Sequence, residues 1–76
     1  MARTVSGQEA VKILVKFFGF QIVGQKGSHI KLKKLSSAGT ITTIVPNHKE
    51  LAHGTLKGVL KLAKVGEEDF LEKNNV

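Results

Sequence analysis

At Gly19 the spacing of apolar residues changes period, and that change restricts the chain to a helix followed by a sheet. Before it, Ala10, Ile13, Leu14, Phe17 and Phe18 recur at helical spacing. Ser6-Gly7-Gln8-Glu9 reads as a capping box, with Ser6 as N-cap and Glu9 at N3. Gly19 suits the left-handed position just past a helix end. Beyond Gly19 the pattern becomes that of strands. Phe20-Gln21-Ile22-Val23 opens the first, which runs to about Gln25. Gly27 marks a tight turn, and Ser28 to Leu35 forms the second strand. There Ile30 and Leu32 alternate with His29, Lys31 and Lys33, so period 2 sets the two apolar residues against the histidine and both lysines. Ser36-Ser37-Ala38-Gly39 is a turn. Thr40 to Val45 is rich in β-branched residues and reads as a third strand, stopped by Pro46.

The remainder returns to helical spacing. Pro46 to Gly54 reads as a loop carrying Asn47, His48, Lys49, Glu50 and His53. Thr55 is the expected cap of a second helix, whose apolar face is Leu56, Val59, Leu60 and Ala63. Gly66 is expected to close it. Glu67-Glu68-Asp69 suits the first turn of a short last helix, with Phe70 and Leu71 against the core. The resulting order is α-β-β-β-α plus a short C-terminal helix. Its economical packing is an α+β fold with a three-stranded antiparallel sheet and both long helices on one face, as in a double-stranded RNA-binding domain. With 76 residues, one domain over 1–76 is expected, its core spanning about 4–71.

Charge narrows the function classes. Ten lysines lie between Ala10 and Gly66, where Glu50 is the only acid; the acids gather after Gly66. Such a body attracts polyanions, and nucleic acid is the commonest. The chain has no cysteine, which excludes a thiolate nucleophile, a cysteine zinc site and an iron–sulfur cluster. No apolar run approaches the length of a membrane span. The stretch Met1 to Ser6 lacks the apolar core of a signal peptide. A cytoplasmic protein without membrane contact is the resulting expectation. No metal or other cofactor is expected, because no carboxylate cluster can complete a metal site and His48 and His53 miss the i, i+4 spacing of a helical zinc pair. The scattered glycines form no phosphate-binding loop, and no small-molecule ligand is expected.

His29 is the candidate for chemistry. It follows the Gly27 turn, close to Lys26, and shares its strand face with Lys31 and Lys33. Cleavage of RNA needs a base for the 2′-hydroxyl and cations for the phosphorane. Histidine suits the proton transfer, and lysines suit the phosphate. Gly27 permits close approach of a phosphate to the backbone. Ser28, pointing to the opposite face from His29, reads as a turn or orienting residue. The competing reading is a polar surface histidine of no special role. His48 and His53, in a loop and at a helix entrance, are expected mainly to bond backbone carbonyls.

Four segments resemble the HicA toxin family in order. They are Ser6-Gly7-Gln8-Glu9 through Gly19-Phe20; Gln25-Lys26-Gly27-Ser28-His29; Val45-Pro46-Asn47-His48 with Glu50-Leu51 and Gly54-Thr55-Leu56; and Leu60 to Val65 with Glu68-Asp69-Phe70. The resemblance spans about residues 4 to 71. It implies a double-stranded-RNA-binding-like fold and the toxin of a type II toxin–antitoxin system. It further implies metal-independent cleavage of mRNA by an endoribonuclease with His29 as general acid/base, and a HicB-type antitoxin that covers the site. The RNA contacts it suggests are Lys26, Gly27, Ser28, Lys31 and Lys33. Family members often place an aromatic residue shortly after the histidine, whereas this chain has Ile30-Lys31-Leu32 and neither Tyr nor Trp. Contact to phosphate and sugar is therefore expected over base stacking. Two other classes stay open: a non-catalytic double-stranded RNA-binding module using Lys57, Lys61 and Lys64, and an interaction protein whose lysines merely solvate it.

Overall fold

The computed structural model describes residues 4–74. Met1 to Arg3, half of the stretch read above for a signal, and the last two residues of the expected domain lie outside them. The elements are α1 (Gly7–Phe18), β1 (Gln21–Lys26), β2 (His29–Ser36), β3 (Gly39–Pro46), α2 (His53–Ala63) and α3 (Glu67–Asn74). The strands form one antiparallel sheet in the order β1-β2-β3, so β2 is central. This is the α+β, double-stranded-RNA-binding-like architecture expected from the order of elements.

The capping box at α1 is complete. Ser6 Oγ accepts the Glu9 amide at 3.0 Å, and Glu9 Oε1 accepts the Ser6 amide at 3.0 Å. Gly19 ends the helix at φ 78°. Each hairpin turns in two residues. Gly27 takes φ 59° in the first, and Gly39 takes φ 123° beside the second. Those angles favour glycine because a Cβ would crowd the backbone. The Gln25 side-chain amide donates to the Gly27 carbonyl at 3.0 Å and braces the first turn.

The core lies between the helices and one face of the sheet. Ile30 and Leu32 on β2 and Thr43 and Val45 on β3 are buried, together with Leu14 on α1, Leu60 on α2 and Phe70 on α3. Thr43 has no exposed surface, and its hydroxyl donates to the Val59 carbonyl at 2.8 Å, fastening β3 to α2. The helices leave β1 largely uncovered. All six of its residues are exposed, Ile22 and Val23 included. A bulge between Ile22 and Gly24 interrupts its ladder, a feature that discourages further strand pairing at a sheet edge.

Several boundaries differ from the sequence expectation. Phe20 is not the first residue of β1; it is a core residue ahead of Gln21. Thr55 does not cap α2. The N-cap is Ala52, which makes no side-chain bond, and Thr55 sits inside the first turn. The early start follows from Leu51, which is buried and whose amide donates to the Val5 carbonyl at 2.8 Å. That anchor turns the chain into the helix at His53. Gly66 does not close α2 either. Lys64 takes the left-handed position at φ 58°, and the Gly66 carbonyl accepts the Phe70 amide at 3.0 Å, opening α3.

Lys64 is the one described residue other than glycine at positive φ. The left-handed conformation costs a residue with a Cβ about 1–2 kcal/mol. Lys64→Gly is therefore expected to raise stability by about 1 kcal/mol, read as a higher urea midpoint. Thr43→Val is expected to lower it by about 1 kcal/mol through loss of the buried hydrogen bond.

Candidate active site

The face of the sheet away from the helices is uncovered, and β2 sends His29, Lys31 and Lys33 onto it. The burial alternation along β2 places all three outward and Ile30 and Leu32 inward. Pairing sets the neighbours. His29 lies opposite Lys26 on β1 and Pro46 on β3. Lys31 lies between Gly24 and Ile44, and Lys33 between Gln21 and Thr42. Lys26 is thus the direct cross-strand neighbour of the histidine, a relation that its sequence position only hinted at. Gly24 leaves the floor beside Lys31 open, with no atom within 4 Å of where a Cβ would stand.

The electrostatics of this face are one-signed. No Asp or Glu occurs between Ala10 and Lys49, a stretch that includes all three strands. Alternate residues on a strand are about 7 Å apart. In water, two unit charges at that spacing repel by roughly 0.6 kcal/mol before salt screening. Burial of Ile30 and Leu32, each worth about 1.5–3 kcal/mol, outweighs that repulsion and holds the lysines in a row. A polyanion laid along the row would remove that repulsion.

Gly27 and Ser28 form the turn immediately before His29. Gly27 also has open space where a Cβ would be. The Ser28 carbonyl accepts the Asn47 amide, which extends the β2–β3 pairing one step past His29. From there the chain folds back. The His48 amide donates to the Pro46 carbonyl at 2.9 Å, and the His48 carbonyl accepts the Gly7 amide at 2.8 Å. The start of β2, the end of β3 and the start of α1 therefore meet within a few residues of His29. His48 belongs to this junction through its backbone, and its ring is exposed. Among the described residues, no three His, Asp or Glu side chains come together as metal ligands.

The other candidates lie elsewhere. His53, the first residue of α2, places Nε2 2.8 Å from Glu67 Oε2. It ties α2 to α3 and bonds a side chain where a backbone carbonyl was expected. Lys57 and Lys61 on α2 and Lys64 at its C-cap are exposed, in the helical layer on the other side of the sheet from His29. Phe17 is not a core residue, as its spacing suggested. It is 39% exposed, with the ammonium groups of Lys16 and Lys73 each 5.4 Å from its ring centre. The sequence reading left the junction at Gly7 unnoticed. Its signal is a glycine in the first turn of a helix, where a residue with a Cβ is normally the better choice.

Gly7 is buried, and a Cβ there would overlap the Pro46 carbonyl oxygen. Gly7→Ala is expected to destabilise the fold by about 1–3 kcal/mol despite the better helix propensity, and to move the backbone resonances of residues 46–48. Gly24→Ala, into open space, is expected to stay within about 0.5 kcal/mol of the parent. Thermal unfolding and amide chemical shifts check both.

In comparison with known proteins, the sequence model of the HicA toxin of bacterial toxin–antitoxin systems matches residues 7–65. No curated protein matches the chain.

Proposed function

The chain belongs to the HicA toxin family and is thereby the toxin of a toxin–antitoxin system with an antitoxin partner, and from that premise we propose that it is a metal-independent endoribonuclease acting on mRNA through His29. The supporting observation is the uncovered sheet face, where His29 stands beside Lys26, with Lys31 and Lys33 in the same row and no carboxylate on any strand.

The chemistry follows from those groups. His29, as the neutral ring, takes the proton of a 2′-hydroxyl. The freed oxygen attacks the adjacent phosphorus, and the bond from phosphorus to the 5′-oxygen breaks. A protonated ring returns a proton to that leaving oxygen. The products are a 2′,3′-cyclic phosphate and a 5′-hydroxyl. Lys26, Lys31 and Lys33 hold the phosphates and stabilise the charge gathered on the phosphorane oxygens. Gly27 and Ser28 let the strand approach the turn without a bulky side chain in the way. With its polar and phosphate-directed contacts, the face reads the backbone more than the bases.

The antitoxin of this reading is of the HicB type and covers the same face, because a surface suited to phosphates also accepts carboxylates. The location is the cytoplasm, where mRNA is met. The alternative, a non-catalytic double-stranded RNA-binding module, would use Lys57 and Lys61 on α2 and Lys64 at its end.

Expression without antitoxin separates the readings. His29→Ala is expected to abolish growth arrest and to lower RNA cleavage by at least about 10²-fold with the fold intact. Growth arrest as strong as that of the parent would overturn the assignment. Loss of one phosphate contact should flatten the salt dependence of single-strand binding by about 0.7 in log–log slope for Lys31→Ala. The same change at Lys57 should leave the slope unaltered. Lys31→Glu combined with Lys33→Glu is expected to abolish co-purification with the antitoxin.

A further inference from the structure

Beside the junction of β3, α1 and the β2 turn lies a groove of about 400 Å³, lined by Ser6, Gln8, Asn47, His48 and Lys49. Its size falls within the range of small-ligand sites, enough for one nucleotide and far too small for a duplex. Two α1 amides at this end are already engaged, Glu9 by Ser6 Oγ and Gly7 by the His48 carbonyl, so side chains supply most of the binding chemistry. Those side chains are free. Among the described residues, none hydrogen-bonds or ion-pairs with the side chains of Gln8, Asn47, His48 or Lys49, all four exposed.

Along the backbone the groove lies close to His29. Asn47 follows Pro46, the β3 partner of His29, and its amide is fixed to the Ser28 carbonyl. Cross-strand neighbours lie about 5 Å apart and consecutive residues 3.8 Å apart, so the Asn47 backbone lies within about 10 Å of the His29 backbone. The groups along it are those that recognise an unpaired nucleotide. Amides bond base edges, an imidazole stacks on a base, and an ammonium meets a phosphate. The ring is significant in a chain without Tyr or Trp. Phe20 and Phe70 are buried, Phe18 is half-buried against the core, and Phe17 is engaged by Lys16 and Lys73, so His48 is the exposed ring close to His29 in the fold.

We propose that this groove is a nucleotide subsite. It holds the RNA nucleotide flanking the phosphate at His29, with Lys49 on its phosphate, the His48 ring against its base, and the Asn47 and Gln8 amides on the base edge. The inference rests on the reading of His29 as the cleavage centre, and it makes the substrate single-stranded. It also supplies the base preference that the lysine row alone lacks.

The test uses the full chain and a set of short single-stranded RNAs that vary on either side of one cut. His48→Ala is expected to raise KM about tenfold, the scale of one lost base–ring contact, with kcat nearly unchanged. Gln8→Ala with Asn47→Ala is expected to level the preference among flanking nucleotides. Lys12→Ala, on α1 away from the groove, serves as the control. Unaltered KM and unaltered preference in the groove variants, with parental melting temperatures, would overturn the subsite. A binding arm keeps the two readings apart. On a His29→Ala background, which is unable to cleave, His48→Ala is expected to weaken binding of fluorescein-labelled RNA about tenfold. A parent that cuts no RNA while this loss persists overturns the cleavage reading and keeps the subsite. A parent that cuts RNA while the loss is absent overturns the subsite alone. Equal loss with duplex RNA would also count against it.

Discussion

The two-sided pairing of β2 is the constraint on which the rest depends. As the central strand it has no freedom of register on either side, because each hairpin turns in two residues. A slip of one residue would put His29, Lys31 and Lys33 into the core and Ile30 and Leu32 into water. Burying even one unpaired ammonium would cost more than the whole domain has to spare. The register that gives this small chain a core is therefore the same register that lines its open face with cations. Stability and the proposed chemistry share a single cause.

That open face ends at a junction rather than in solvent. The Ser28 carbonyl, the Pro46–His48 segment and the Gly7 amide lock together where three elements meet. On the sheet the ladder fixes the backbone from which the side chains project. Those on the loop are held because its backbone is bonded to β2 on one side and α1 on the other. Gly7 has to be a glycine for α1 to start so close to Pro46. The consequence is a junction in which the start of α1, the start of β2 and the end of β3 are held together.

Much of this was legible in the sequence because local chemistry decided it. The Ser6–Glu9 box, Gly19, the Gly27 turn and the Ile30/Leu32 alternation each point to one structure, and each is realised. The face shared by His29, Lys31 and Lys33 was legible for the same reason. What escaped was set by contacts between distant residues. Thr55 has the side chain of a cap, but Leu51 is pulled inward by Val5 and starts α2 sooner at Ala52. Phe17 has core spacing, but it falls at the end of α1, where Lys73 of α3 reaches its ring. The exposure of β1 reflects the reach of the helices across the sheet. The groove beside His29 arises from the fold-back at His48, which has no signature in the residue types around it.

The central claim is that His29 and its lysines cut RNA without a metal, using the 2′-hydroxyl of the substrate itself. The end groups of RNA cut by the purified chain in excess EDTA test it most directly. The expected products carry 2′,3′-cyclic phosphate and 5′-hydroxyl ends, formed at an undiminished rate in the chelator and lost in His29→Ala. Products with 5′-phosphate ends, or cleavage that stops when divalent ions are removed, would contradict it.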